Sequence, residues 1–375
     1  MSQGFPGQGN WPAQGGWGRQ HDQGFSAQAG FPQQGNPPPA FGPSGSGPRG
    51  FGQQGFGQPG FGGPGWPAQP PQQQVPGRPP RRSLKPLIIG ALAVVGLVIA
   101  GLIAYSLLSA PRYENDDYVP PSAEVEVPLP DAQVSEVEAL LTANAVYAQT
   151  VPEPVRCEPA NPNLDVPNAT DDEVQAYIED IVACSMRVWD PAFRGSNRWE
   201  LPRPKANVYG ESVTTPCGTS GPNGLYCAAN QQIYFSRNVP AWQDPLIIDD
   251  VITHEFGHHV QARTLVLVAT AYSQRQVDRD TALELNRRIE LQADCFEGLI
   301  IRSIARSRDY SPQQIEAIRN SIHDGGDDTI AEQLGREVER GHGTSAARVY
   351  WWSRGINSSD VGQCNTFIAP SHEVP

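Results

Sequence analysis

The chain has 375 residues, and glycine (38) and proline (37) together make up one fifth of them, concentrated towards the N-terminus. A segment of that composition cannot bury enough apolar surface to offset its chain entropy, which excludes a folded N-terminal domain. Six of the 27 basic residues and one of the 40 acidic residues precede residue 111. Residues 111–375 therefore carry a net charge of −18. A domain that acidic is not expected to bind nucleic acid.

Residues 1–83 are of low complexity, with recurring short units built on Gly-Phe, Gly-Gln and Pro. We predict a disordered Gly/Pro/Gln-rich tail without secondary structure, lying in the cytoplasm. Phenylalanine and tryptophan in a Gly/Gln background leave a second interpretation open, in which the tail is a weakly adhesive segment that binds partners in the cell envelope.

Residues 87–110 form a run of 24 residues without a charge. As a helix this run would be about 36 Å long, enough to cross a bilayer with some tilt, and we predict a transmembrane helix over 84–110. Basic residues precede the run and mostly acidic residues follow it. The positive-inside bias therefore predicts a single-pass cell-membrane protein with its C-terminal domain outside the cytoplasm. A cleaved signal peptide, the alternative, would need a basic region of unusual length.

Residues 111–133 are acidic and proline-rich, which predicts a stiff, extended stalk. The remainder, 134–375, is long enough for one hydrophobic core.

All the cysteines follow the apolar run, and an even number on one side of a membrane indicates disulfides formed in an oxidising compartment. The six are Cys157, Cys184, Cys217, Cys227, Cys295 and Cys364. Cys217 and Cys227 bracket a Gly/Pro/Asn-rich loop and are the best candidates for a local pair.

Helical periodicity dominates the region 134–375. Thr170 and Glu173 form a capping-box pattern at the start of a helix that ends near residue 189. Strands are predicted at 206–209 and 232–235, and helices at 245–267, 280–307, after Ser311, at 329–339 and after Ser345. The expected fold is therefore mainly α with a small β element.

The sequence His-Glu-Phe-Gly-His at residues 254–258 carries the chemistry. Residues four apart share one helix face, so His254 and His258 can bind one metal ion. Zinc lowers the pKa of a bound water to about 7, and Glu255, one step round the helix, could take its proton as the water attacks a carbonyl. We predict Zn²⁺ on the two histidines and Glu255 as general base. A core helix with satisfied histidines is the alternative.

Two patterns could supply the third metal ligand. The metzincin pattern fails, because Gln261 and Thr264 stand where it needs glycine and histidine. Glu290, on a second predicted helix, would complete a His₂Glu set and leave the fourth position to water. Asp294, one turn further on, could accept a hydrogen bond from a ligand histidine and fix its tautomer. The alternative for both acids is ordinary charged helix surface.

Hydrolysis of a carbonyl compound also calls for a donor to the tetrahedral oxyanion. His342, in a glycine-flanked loop, is the best candidate, with Tyr350 and His323 as alternatives. His259 directly follows the second predicted ligand and points about 100° away from it on a helix, so we expect a structural role.

These motifs together resemble the neutral zinc metallopeptidase family of bacteria over about residues 140–367. The residues that carry the resemblance are His254–Gln261 in the first motif, then Glu290–Cys295, His342–Ser345 and Cys364–Phe367. The resemblance implies zinc on His254 and His258, Glu255 as catalytic base, a gluzincin-like core, and a catalytic domain held outside the membrane by one helix. Glu297 stands where members of the family usually have a small residue.

The combined interpretation is a membrane-anchored zinc peptidase that hydrolyses peptide bonds of a protein or peptide substrate outside the cytoplasm. Two other functions stay open on the sequence alone. One is a catalytically inactive metal-binding scaffold of the envelope, and the other is a zinc amidase that acts on cell-wall material.

Overall fold

The computed structural model describes residues 85–109, 112–123 and 127–375. The predicted tail, 1–83, lies outside the described residues. The described residues fall into two compact units, one holding the helix α1 (Lys85–Ser109) and the other beginning at Arg112. Large apolar side chains of α1, such as Ile89 and Leu97, are exposed. No helix in the described part of the chain combines the length and hydropathy required to cross a bilayer, so the predicted transmembrane helix is not supported.

The unit that begins at Arg112 is mainly helical with a small sheet, as predicted. Its α-helices are α2 (Val137–Thr142), α3 (Asp171–Ser196), α4 (Pro245–Arg263), α5 (Val266–Gln274), α6 (Arg279–Ile304), α7 (Pro312–Asp324), α8 (Asp327–Leu334) and α9 (Ser345–Ile356). Its strands are β1 (Ala206–Tyr209), β2 (Val213–Thr215), β3 (Gly218–Ser220), β4 (Gly224–Cys227) and β5 (Gln232–Ser236). Short 3₁₀ turns cover Val134–Glu136, Ala145–Ala148, Val361–Cys364, Thr366–Ile368 and Ser371–Glu373.

The larger sheet has the strand order β1-β5-β4, with β1 parallel and β4 antiparallel to the central β5. Strands β2 and β3 form a separate antiparallel hairpin. A disulfide between Cys217 and Cys227, the predicted local pair, ties this hairpin to β4. Two further disulfides join Cys157 to Cys184 and Cys295 to Cys364. Strand β4 lies at the edge of its sheet and packs beside α4.

Local sequence signals explain most helix ends. The capping box of Thr170 and Glu173 is formed at the start of α3. The predicted helix 245–267 is instead two helices, because Leu265 adopts a left-handed conformation (φ 66°) that an α-helix cannot continue. Helix α8 likewise ends early, at Leu334, because Gly335 follows in the left-handed region (φ 62°).

Helices α4 and α6 form the centre of the core. One face of α4 is a fully buried apolar row, Ile248, Ile252, Phe256 and Val260. From α6, Phe296 meets Trp189 of α3 edge-to-face, with ring centroids 4.8 Å apart. Burial of this kind stabilises a fold by about 1.5–3 kcal/mol per large apolar side chain. The two central helices therefore provide a rigid platform for polar groups that lie between them.

The described parts of the predicted stalk, residues 112–123 and 127–133, contact the domain; we call them the strap. Glu114 pairs with Val155 in a short parallel bridge, and the Asn115 side chain donates to the Arg187 carbonyl. Near the other end, Arg263 donates to the carbonyl of Pro128 at 2.9 Å. The strap is therefore not a free spacer. A proline-rich segment does not pair its own main-chain groups, and those of the strap form hydrogen bonds with the domain instead.

Candidate metal centre

Three donor atoms from α4 and α6 converge on one point. His254 and His258 lie one turn apart on α4, and the Nε2 atom of each is 3.5 Å from Oε2 of Glu290 on α6. The three ligand atoms all lie within 4.8 Å of one another. Zinc bonds of about 2.0–2.1 Å at tetrahedral angles put neighbouring donor atoms about 3.3–3.4 Å apart. The residues present therefore fit a His₂Glu zinc site.

The electrostatics of the cluster favour a bound cation. Glu290 and His258 are buried and His254 is nearly so. Burial lowers the pKa of His254, but hydrogen bonds with Asp294 and Glu290 outweigh it and raise the pKa to about 10 in the absence of metal. Burial likewise opposes ionisation of Glu290, yet the charge of His258 and hydrogen bonds with His254 and His258 hold its pKa well below the usual range. Surrounding carboxylates that stabilise an imidazolium also stabilise a divalent cation.

Two glutamine side chains fix the tautomer of His258. The Gln261 amide nitrogen donates to the carbonyl of Ile289 at 2.8 Å and to Oε1 of Gln292 at 3.1 Å. Its Oε1 is therefore an acceptor for Nδ1 of His258, 2.8 Å away. With the proton on Nδ1, Nε2 of His258 carries a lone pair that can bind a metal ion, and this atom lies on the side of Glu290. Sequence analysis used Gln261 only to exclude the metzincin pattern and missed this role.

Asp294 lies behind the other candidate histidine ligand, His254. Its Oδ1 is 3.0 Å from Nδ1 of His254, within hydrogen-bonding distance, and its side chain is fully buried. Arg348 of α9 binds the same carboxylate with two N–H groups, at 2.7 and 2.9 Å. Sequence reasoning identified Asp294 from its one-turn spacing to Glu290, but no local signal pointed to Arg348.

A second buried carboxylate, Glu297, lies near the same imidazole. Its Oε2 is 3.9 Å from Nδ1 of His254, and the Trp352 indole donates to its other oxygen at 3.1 Å. Burial and the adjacent Asp250 raise the pKa of Glu297 well above its usual range. The protonated form of Glu297 is therefore favoured, and the side chain shares a hydrogen bond with Asp250. This pairing and the bond from Trp352 satisfy a glutamate in a fully buried position.

Glu255 lies between α4 and the edge strand β4. The main-chain N–H of Tyr226 donates to its carboxylate, and burial raises its pKa despite the nearby histidines. A Cβ atom on Gly224 would lie 3.2 Å from Oε1 of Glu255 and 2.7 Å from Val251. A side chain at residue 224 would therefore crowd the carboxylate, and glycine allows the strand to approach it.

His342 belongs to the loop between α8 and α9, and its side chain is 47% exposed. The Asp327 carboxylate lies 3.1 Å from Nδ1 of His342 and accepts a hydrogen bond of 2.8 Å from the main-chain N–H of the same residue. Desolvation of the packed side of the ring lowers the pKa of His342, but the bond to Asp327 and the charge of Glu290 outweigh it and raise the pKa overall. The alternatives contact other groups: His323 meets Asp324 at 3.2 Å and Tyr350 meets Arg354.

His259 connects α4 to its surroundings. Its Nε2 donates to the carbonyl of Pro202 at 2.8 Å, so Nδ1 accepts from the Tyr226 hydroxyl at 3.0 Å. Burial lowers its pKa to about 3, and the ring is therefore neutral. These contacts agree with the structural role expected from its direction on the helix.

Comparisons with known proteins cover most of this region. Residues 149–367 match the family model described as "Putative neutral zinc metallopeptidase". The uncharacterized protein YpfJ of Escherichia coli K12 is 33% identical over 215 residues, which cover 52% of this chain and 72% of YpfJ. The uncharacterized protein Rv2575 of Mycobacterium tuberculosis H37Rv is 29% identical over 205 residues, 48% of this chain and 67% of that protein. No solved structure matches the chain.

Proposed function

Because the chain belongs to the neutral zinc metallopeptidase family, we propose that the domain 134–375 is a zinc-dependent peptidase with Glu255 as its general base. The observation that carries the proposal is the convergence of His254, His258 and Glu290, whose donor atoms are spaced for one tetrahedral zinc ion. A zinc ion held there would supply Lewis-acid chemistry and make a water acidic enough to be deprotonated near neutral pH.

Glu255 is suited to moving the proton. It is adjacent in sequence to the ligand His254, and the N–H of Tyr226 fixes its carboxylate. Burial raises its pKa towards the range in which a carboxylate accepts a proton from water and then releases it. In the proposed reaction, Glu255 takes the proton of the attacking water and delivers it to the leaving amine.

His342 is the proposed donor to the oxyanion. Because the Asp327 carboxylate accepts a hydrogen bond from Nδ1–H, Nε2 donates to a substrate carbonyl only in the imidazolium form, which the raised pKa of His342 favours. Its partly exposed side chain and the influence of Glu290 on its pKa support a position on the open side of the metal centre. Anchoring through the main-chain N–H groups of His342 and Gly343 preorganises this donor, which is what stabilises developing charge.

Strand β4 favours a peptide substrate. It lies at the sheet edge, and the N–H of Tyr226 points away from β5 towards Glu255. Because alternate residues of a strand point the same way, the polar main-chain groups of Gly224 face that side too. An extended peptide that pairs with the main-chain groups of Gly224 would bring its carbonyl beside Glu255. This feature favours a peptidase over a cell-wall amidase.

The proposed location is outside the cytoplasm. Three disulfides in one domain are typical of proteins that fold in an oxidising compartment. Anchoring by α1 and binding of envelope partners by the N-terminal tail stay predictions. Protease accessibility of the C-terminal domain in intact cells would test the location, and protection of that domain would contradict it.

Zinc content and turnover of the purified full chain test the function. The wild type is compared with Glu255→Gln and with Glu316→Gln, an exposed glutamate of α7, on casein, a peptide library and peptidoglycan. One zinc in all three proteins, with peptide hydrolysis lost only in Glu255→Gln, is the expected result. Zinc without turnover would support a scaffold, and turnover of peptidoglycan alone would support an amidase. A folded wild type without zinc would overturn the proposal.

A further inference from the structure

The guanidinium of Arg348 is held on two edges at the back of the candidate metal centre. Nε and Nη2 donate to the two oxygens of Asp294 at 2.9 and 2.7 Å, and Nη1 donates to the Gly325 carbonyl at 2.8 Å. The side chain is 13% exposed. The guanidinium is planar, so the two bonds to a carboxylate on one edge and the bond to a carbonyl on another fix its orientation.

One edge of this fork acts on a metal ligand. Oδ1 of Asp294 accepts a hydrogen bond from Nη2 of Arg348 and also lies 3.0 Å from Nδ1 of His254. Asp294 is completely buried, and the paired N–H groups of Arg348 fix both of its oxygens. Arg348 therefore holds the Asp294 carboxylate in place against Nδ1 of His254. This arrangement directs the Nε2 lone pair of His254 towards the metal site.

The other edge acts on the loop that carries His342. Gly325 ends α7 and is two residues before Asp327, whose carboxylate holds His342. The backbone at Gly326 is packed on the start of α9, where any added Cβ would collide with Ser345. The α7–α8 junction therefore has little freedom to move independently of α9, on which Arg348 lies.

We propose that Arg348 is a positioning residue that couples the orientation of the metal ligand His254 to the placement of the His342 loop. This inference rests on the proposed zinc site. It assigns no contact with substrate to Arg348, which acts through Asp294 on one side and through the Gly325 carbonyl on the other.

The first test is Arg348→Met in the full chain, beside Arg354→Met. Arg354 lies on the same helix but binds Gln363 and Tyr350 at the surface. Zinc affinity is measured by chelator competition, and ligand geometry by the visible spectrum of the Co²⁺-substituted protein. Arg348→Met is expected to bind zinc about tenfold more weakly, in the range found for residues that orient metal ligands, and to change the Co²⁺ spectrum. Arg354→Met is expected to match the wild type in both.

A second variant covers the case in which Arg348→Met does not fold. At Gly325 the backbone has φ −80°, which alanine adopts freely, but the added Cβ would collide with Nη1 of Arg348. The flexible end of the arginine would have to move, so Gly325→Ala is expected to lower kcat and shift the Co²⁺ spectrum. If each variant that folds has the zinc affinity and the Co²⁺ spectrum of the wild type, the proposed coupling is wrong, while the proposed zinc site is unaffected. A wild type that binds no zinc would overturn the proposed function itself.

Discussion

Gly257 and Ala293 touch where α4 crosses α6: a Cβ atom added to Gly257 would lie 3.2 Å from both Cα and the carbonyl oxygen of Ala293. The crossing lies one residue before His258 on one helix and three residues after Glu290 on the other. The separation of the two helices at this point therefore sets the distance between the proposed metal ligands on each helix.

Gly257→Ala is expected to push the helices apart, because the opposing atoms are backbone and cannot rotate away. Overpacking of this kind costs about 1–3 kcal/mol. We expect a lower free energy of unfolding together with weaker zinc binding, measured by denaturant titration and chelator competition. Gly221→Ala is the control, since a Cβ there has nothing within 4 Å. Equal zinc affinity in the two variants would show that the crossing does not set the ligand spacing.

Gln261→Leu is expected to weaken zinc binding by about tenfold, because His258 loses the acceptor that fixes its tautomer. The change is close in volume, and it removes the hydrogen bonds to Ile289 and Gln292 as well. Gln276→Leu, at an exposed position, is the matched control. A zinc dissociation constant for Gln261→Leu within a factor of two of the control would argue against a role for the two glutamines.

His342→Ala is expected to lower kcat by about 10²–10³-fold, as removal of an oxyanion donor does, while zinc content is unchanged. Asp327→Asn should lower kcat by less, because the histidine remains but is held less firmly. Steady-state kinetics and metal analysis separate the two effects, with His323→Ala as the control. Unchanged kcat in His342→Ala would transfer the role of oxyanion donor to another group.

Removal of the metal is expected to destabilise the domain. Glu290 is buried between α4 and α6 and Glu255 is buried between α4 and β4, and without a bound cation these two carboxylates lose a compensating positive charge. Zinc that binds only the folded state adds stability in proportion to the logarithm of its concentration over Kd. A chelator should therefore lower the midpoint of thermal unfolding, and added zinc should restore it. The same midpoint with and without chelator would contradict a structural contribution of the metal.

The strap is expected to stabilise the domain. A chain that begins at residue 134 would lose the buried Ala132 and the partners of Arg156, Arg187 and Arg263. For a domain of this size each kcal/mol lost lowers the midpoint of thermal unfolding by about 2–4 °C. Comparison with a chain that begins at residue 112 gives the measurement. Identical midpoints would mean that the strap contacts contribute nothing to stability.

The sequence by itself determined the features that depend on local geometry. A spacing of four residues puts His254 and His258 on one face of any α-helix, whatever the rest of the chain does. Capping boxes, apolar periodicity and a short Cys-Cys loop are also local, and the helical fold, the small sheet and the disulfide between Cys217 and Cys227 followed from them. The break at Leu265 escaped prediction, because leucine seldom adopts the left-handed conformation found there.

Only the tertiary structure decided which distant groups support the site. Arg348 is 54 residues from Asp294, and Gln292 is 31 residues from Gln261. Neither pair has a fixed spacing or a characteristic motif, because such contacts depend on how α4, α6 and α9 cross. The same is true of the strap, whose composition predicts an extended segment but not the arginine side chains that bind it. Periodicity encodes which face of a helix is buried, whereas the partner across that face is set by packing.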